Sequence, residues 1–156
     1  MVSMQWNEFR SHIRHLSTRE QGRVKDAFEL GKKMHGAQQR KSGEPYFNHP
    51  IAVAHMLADM GADPDTLIAA LLHDTVEDTP LTLEEIKKQF GPTVHDLIEG
   101  VTKLSRADVG ELATVDEQIE TLRKIFTLME RDVRIMIIKI IDRLHNMQTV
   151  EFLKPE

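Results

Sequence analysis

The chain has 156 residues, 40% of them hydrophobic and 29% charged, with no cysteine and a formal charge of −5. That is enough apolar material for one globular core, and it excludes disulfides, thiolate metal sites and cysteine nucleophiles. The acidic balance argues against a nonspecific grip on nucleic acid, but leaves room for a small phosphorylated ligand in a locally cationic pocket. The opening residues, Met1 to Trp6, lack a basic region followed by an apolar one. The longest apolar run, Ile135 to Ile141 around Lys139, is too short to span a bilayer. We therefore expect a cytoplasmic protein with no membrane partner.

Helical spacing dominates throughout. Trp6, Phe9, Ile13 and Leu16 predict a helix from Met4 to Leu16. Ser17-Thr18 offers an N-cap for a longer helix to about Gln39. Gly43 and Pro45 mark Arg40 to His49 as an ordered loop, and Pro50 can open a helix from Ile51 to Met60 that stops at Gly61. Asp63-Pro64 begins another helix, running through His73-Asp74 to about Val76. Thr82 with Glu85 is a capping box for a short helix ending at Phe90-Gly91, and Pro92 starts the next, to about Leu104. Ser105 to Leu112 reads as a loop. Thr114 with Glu117 is a second capping box, for a helix to about Glu130, and Asp132 caps the last helix, to about Val150. No segment alternates like a strand, so the expected fold class is all-α, a single compact domain of roughly eight helices over residues 1–156.

Chemistry concentrates where ionisable groups interrupt apolar runs. His73 and Asp74 follow Leu67 to Leu72, and Asp142 follows Ile135 to Ile141. A buried carboxylate or imidazole must be paired, hydrogen-bonded or metal-bound. With His49, these residues would form a set of two imidazoles and two carboxylates, suited to manganese, iron or zinc with positions left for water and substrate. Glu77 and Asp78, one turn beyond the doublet, would orient or deprotonate that water. Each residue also has a plainer reading. His49 can be a loop or capping histidine, Asp74 a helix-terminal carboxylate, and Asp142 an ion-pair partner of Lys139 or Arg143. Arg40-Lys41-Ser42 can contact phosphates or stack on a base through Arg40; from charge alone it reads as a solvated basic turn. Asn146, four residues after Asp142, shares its face. His145 is read as pointing elsewhere, and His12, His15, His35, His55 and His95 as surface or core residues without identifiable partners.

These stretches resemble the HD-domain phosphohydrolases, in particular the alarmone hydrolase domain of the RelA/SpoT homologues and the small alarmone hydrolases. The resemblance rests on Arg40 to Tyr46 with His49-Pro50, on Ala70 to Thr79, on Phe90-Gly91, on Val101 to Leu104 and on Asp142 to Met147. It implies manganese-dependent removal of the 3′-pyrophosphate from guanosine tetra- or pentaphosphate. It places metal ligands at His49, His73, Asp74 and Asp142, and a catalytic acidic pair at Glu77 and Asp78. Nucleotide contacts fall at Arg40, Lys41, Ser42, Asn146 and Thr149, with Arg40 against guanine. Ile141 stands where the family has a smaller residue, and Gln148 where it has arginine. The resemblance also implies further helices beyond Leu153 to Glu156 that help close the pocket. Two other readings stay open: an HD phosphohydrolase for another nucleotide or cofactor phosphate, and a non-catalytic alarmone-binding module.

Overall fold

Helix α4 (Pro64–Leu72) is the centre of the molecule. Every residue from Leu67 to Leu72 is fully buried, as expected of a helix that is apolar on all sides. Burial of each large side chain contributes about 1.5–3 kcal/mol. Around it lie α1 (Trp6–Ser11), α2 (Thr18–His35), α3 (Asn48–Asp59), α5 (Thr75–Asp78), α6 (Leu83–Phe90), α7 (Pro92–Arg106), α8 (Val115–Arg131) and α9 (Val133–Gln148). These nine helices are those of residues 5–106 and 114–149, which the computed structural model describes. No strand forms among the described residues, where Gln39 and Pro45 make one isolated bridge.

Helix α4 packs against α2, α3 and α7, and α9 crosses α3, α7 and α8. Close approach needs small residues at two points. A methyl on Gly31 would lie 2.5 Å from the Phe47 ring and 3.1 Å from the Leu71 carbonyl, and one on Gly100 would collide with Ile135. An apolar stripe remains exposed on α8 (Ile119, Leu122, Phe126) and α9 (Ile140, Leu144, Met147).

Both predicted capping boxes form, at Thr82 with Glu85 and at Thr114 with Glu117, and Ser17 makes a third with Glu20. Elsewhere the boundaries differ from the periodicity. Helix α1 ends at Ser11, because His12 and Ile13 bond back over three residues in tight turns. Helix α2 stops at His35, where Gly36 takes φ +49°, rather than continuing to Gln39. Helix α3 starts at Asn48, so Pro50 occupies its first turn, where a missing N–H costs nothing, and His49 is helical rather than part of the loop. The helix expected to run to Val76 breaks at His73-Asp74. Side chains take over the freed carbonyls there, His73 Nδ1–H donating to Ala70 and Thr75 Oγ1–H to Leu72. Ser105 and Arg106 belong to α7. The remainder of the expected loop, the start at Met4 and the end at Val150 lie outside the described residues.

Candidate metal centre

Three elements converge at one point. His49 comes from the first turn of α3, His73-Asp74 from the break between α4 and α5, and Asp142 from the middle of α9. His49, His73 and Asp74 each offer a donor atom within 4.8 Å of the others. Asp142 Oδ1 lies 2.8 Å from His49 Nε2 and 3.7 Å from His73 Nε2. Asp74 Oδ1 lies 3.1 Å from His73 Nε2, and its Oδ2 3.9 Å from His49 Nε2. Donors held by bonds of about 2.1 Å sit about 3 Å apart when adjacent in an octahedral shell, which matches this spread.

The local hydrogen bonds aim the rings. The Nδ1–H of His73 donates to Ala70 at 2.6 Å, which leaves Nε2 bare toward the cluster. That Nε2 is buried and has no aligned hydrogen-bond partner. A buried ring nitrogen without a partner is costly unless something else binds it, so the donor set fits a divalent cation. Burial alone would lower the His73 pKa, yet the Asp74 and Asp142 carboxylates outweigh it and raise it to about 9. Burial would likewise raise Asp142, but His49, His73 and Lys139 hold it far below the usual carboxylate range. A cation entering the cluster competes with protons for these donors.

Two supporting residues were not read from the sequence as such. His145, expected to point away, sets its Nδ1 2.7 Å from His49 Nδ1, so one ring donates to the other. Burial, then the proximity of His49 and Arg40, lowers its pKa to about 4, which keeps it neutral. Tyr46 O–H donates to Asp74 Oδ2 at 3.2 Å, and burial followed by the charges of Asp74 and Asp78 pushes this phenol well above its ordinary value. A histidine three residues after a buried aspartate on one helix was a usable signal for the first; nothing local marked Tyr46.

A cleft of about 540 Å³ opens over the cluster, lined by Gln39, Arg40, Lys41, Ser42, Tyr46, His49, Asp74, Ser105, Lys139, Asp142, Asn146 and Thr149. The five predicted nucleotide-contacting residues are all on this wall. The basic loop is shaped by Gly43 (φ +83°) and by Arg40 N–H donating to the Glu44 carbonyl at 2.8 Å. Arg40 Nη2 donates to Asn146 Oδ1 at 2.9 Å, and Asn146 Nδ2 to Asp142 Oδ1 at 3.1 Å, so loop and cluster are joined. Lys139 pairs with Asp142 Oδ2 at 3.0 Å and donates to Ser105 Oγ at 2.8 Å. The ion-pair reading of Asp142 therefore holds alongside its place in the cluster. Glu77 and Asp78 are exposed and absent from the lining: Glu77 lies 3.6 Å from Arg106, while Asp78 is near enough to Tyr46 for its charge to help raise that phenol's pKa.

A family model described as HD domain matches residues 27–156. A probable GTP pyrophosphokinase from Mycobacterium leprae is 53% identical over 133 residues, 85% of this chain and 16% of the relative. A probable guanosine-3′,5′-bis(diphosphate) 3′-pyrophosphohydrolase from Synechocystis is 45% identical over 83% of this chain and 17% of the relative. The bifunctional (p)ppGpp synthase/hydrolase SpoT of Escherichia coli K12 is 43% identical over 86% of this chain and 19% of its own length. A solved structure, described as a metazoan ortholog of SpoT that hydrolyzes ppGpp, superposes with a TM-score of 0.66 at 30% identity, covering 83% of this chain and 70% of that one. The chain thus spans under a fifth of the length of these curated relatives. The cluster of two histidines and two aspartates, the helical architecture and the family match agree: the chain belongs to the HD-domain family.

Proposed function

We propose that the chain hydrolyses the 3′-pyrophosphate of guanosine tetra- or pentaphosphate, giving GDP or GTP and pyrophosphate. The observation that carries this reading is the meeting of His49, His73, Asp74 and Asp142 at the base of a cleft whose walls hold Arg40, Lys41 and Lys139. Four relatives among those compared are named for the same activity.

In this reading the four residues hold a divalent cation, manganese by the resemblance. Such a cation supplies Lewis-acid polarisation of a phosphate oxygen and of the attacking water. His73 keeps Nε2 toward the cation because its Nδ1–H is committed to Ala70. His49 does the same by donating Nδ1–H to His145, whose lowered pKa keeps it able to accept. Water attacks the phosphorus attached to the 3′-oxygen. That phosphorus–oxygen bond breaks, and the 3′-oxygen takes up a proton. Glu77 or Asp78 receives the proton lost by the water. Lys139 and Lys41 offset phosphate charge, Arg40 covers the guanine face, and Ser42, Asn146 and Thr149 bond ribose and phosphate. The substrate is a cytoplasmic nucleotide, so we place the activity there, without nucleic acid or membrane partners.

Incubation of the chain with guanosine tetraphosphate and manganese should release equal amounts of pyrophosphate and GDP, and a chelator should stop it. Stoichiometrically bound metal with no release over hours would sink the proposal. In that event, tight nucleotide binding would point to a sensing module, and release from a different nucleotide to another phosphohydrolase.

A further inference from the structure

A second group of metal-capable side chains lies on another face of α3. His49 and His55 are six residues apart on this helix, which sets them about 120° apart around its axis. His49 faces the buried cluster, while His55 and Asp59, one turn apart, face His12, just past the end of α1. The turn after α1 is anchored by the buried Phe9, Ile13 and Leu16, and this brings His12 over them. His12 Nδ1 lies 2.7 Å from Asp59 Oδ1, and His55 Nε2 lies 3.5 Å from Asp59 Oδ2. His55 Nε2 is 3.1 Å from His12 Nδ1 and 3.2 Å from its Nε2, the rings meeting edge to face with centroids 4.0 Å apart. A nitrogen equally distant from both ring nitrogens is not aimed at either lone pair, so a directed hydrogen bond does not explain this contact. Neighbouring His15 is otherwise engaged, its Nε2 on the Ala62 carbonyl at 2.9 Å.

The geometry points to a second metal site, formed by His12, His55 and Asp59, that takes a borderline transition-metal cation of the zinc type. Three protein donors of two nitrogens and one oxygen, with solvent in the fourth position, suit that class of ion. Bonds of about 2.1 Å in a tetrahedral shell separate donor atoms by about 3.4 Å. The separations here bracket that value: 2.7 Å from His12 Nδ1 to Asp59 Oδ1, 3.1 Å from His55 Nε2 to His12 Nδ1, and 3.5 Å from His55 Nε2 to the other carboxylate oxygen, Oδ2. The site joins residues 43 and 47 positions apart. An ion there clamps the N-terminal turn onto α3 and stabilises the folded chain, because the unfolded chain offers no such arrangement. Its role is structural, and it does not depend on the hydrolase reading.

The test counts ions. The full chain is stripped with chelator, dialysed against micromolar Zn²⁺ and measured for metal by atomic emission, alongside H55A, D59N and D142A, each checked for helicity by circular dichroism. The wild type should hold two ions, H55A and D59N one each, and the double variant H55A/D142A none. Zinc should raise the melting temperature of the wild type more than that of H55A or D59N. One ion, lost in D142A but kept in H55A and D59N, overturns this site and leaves the hydrolase reading standing. One ion lost in H55A and D59N but kept in D142A supports this site and tells against the buried cluster. Should H55A fold poorly, D59N alone decides, since Asp59 is exposed and its replacement by asparagine removes only charge.

Discussion

Replacing Asp142 by asparagine isolates the contribution of one buried charge to the cluster, since the side chain keeps its shape and one oxygen. Its direction is set in the metal-free protein. Against the burial that opposes them, Asp74, Asp142 and the Ala70 carbonyl raise His73 from 6.5 to about 9, so the site favours positive charge. Asp142, whose Oδ1 is 3.7 Å from that nitrogen, is one of the two carboxylates responsible. Taking its charge from a buried divalent site should weaken metal binding by about 3 kcal/mol, or roughly a hundredfold. Isothermal titration of Mn²⁺ into chelator-stripped wild type and D142N measures this directly. The asparagine leaves Lys139 bonded to Ser105, so no bare ammonium is created, and circular dichroism should report an intact fold. Manganese affinity within about threefold of wild type would refute the reasoning that this carboxylate is part of the site.

Four further outcomes follow from the same structure. Glu77 touches no residue of the cluster, so E77Q should keep wild-type manganese affinity in the same titration while turnover falls by about 10²–10⁴. R40A removes the guanidinium bonded to Asn146 and should raise KM for guanosine tetraphosphate about tenfold with a smaller change in kcat, as steady-state kinetics would read. G31A drives a methyl into Phe47, and urea titration should find a loss of about 1–3 kcal/mol in stability. Asp132 caps α9 and, chiefly through its hydrogen bond from Arg134, has its pKa lowered. Its stabilisation is therefore complete above the unfolded carboxylate value of about 4 and fades as pH falls through the lower folded one. D132N keeps a capping oxygen but loses the charge facing Arg134 and the helix N-terminus, so it should cost about 0.3–1 kcal/mol at pH 6, and the gap from wild type should close in melts run at progressively more acid pH.

The helical class, the capping boxes at Thr82 and Thr114 and the apolar α4 were legible because they depend on signals a few residues long: side-chain oxygens reaching the third amide, and apolar repeats matching 3.6 residues per turn. The metal-capable residues were legible for a related reason. Asp74 and Asp142 adjoin apolar runs where a lone charge is costly, and that cost is visible in one dimension. Boundaries were less so. Whether the helix through His73 continues or breaks depends on side chains capping the Ala70 and Leu72 carbonyls, which competes closely with one more helical turn.

What the chain's order could not decide is which faces meet. His49 and Asp142 are 93 residues apart, and their 2.8 Å contact exists only because α3 and α9 cross at that height. The same crossing turns His145 onto His49, against the expectation that it points elsewhere, and the placement of the turn after α1 beside α3 pairs His12 with His55. It also leaves Glu77 and Asp78 outside the cleft lining, a placement their sequence proximity to the doublet does not reveal. Local sequence fixes helices through short-range hydrogen bonds and periodicity, whereas crossing angles are set by how ridges of side chains interdigitate across the whole core, a property of no single segment.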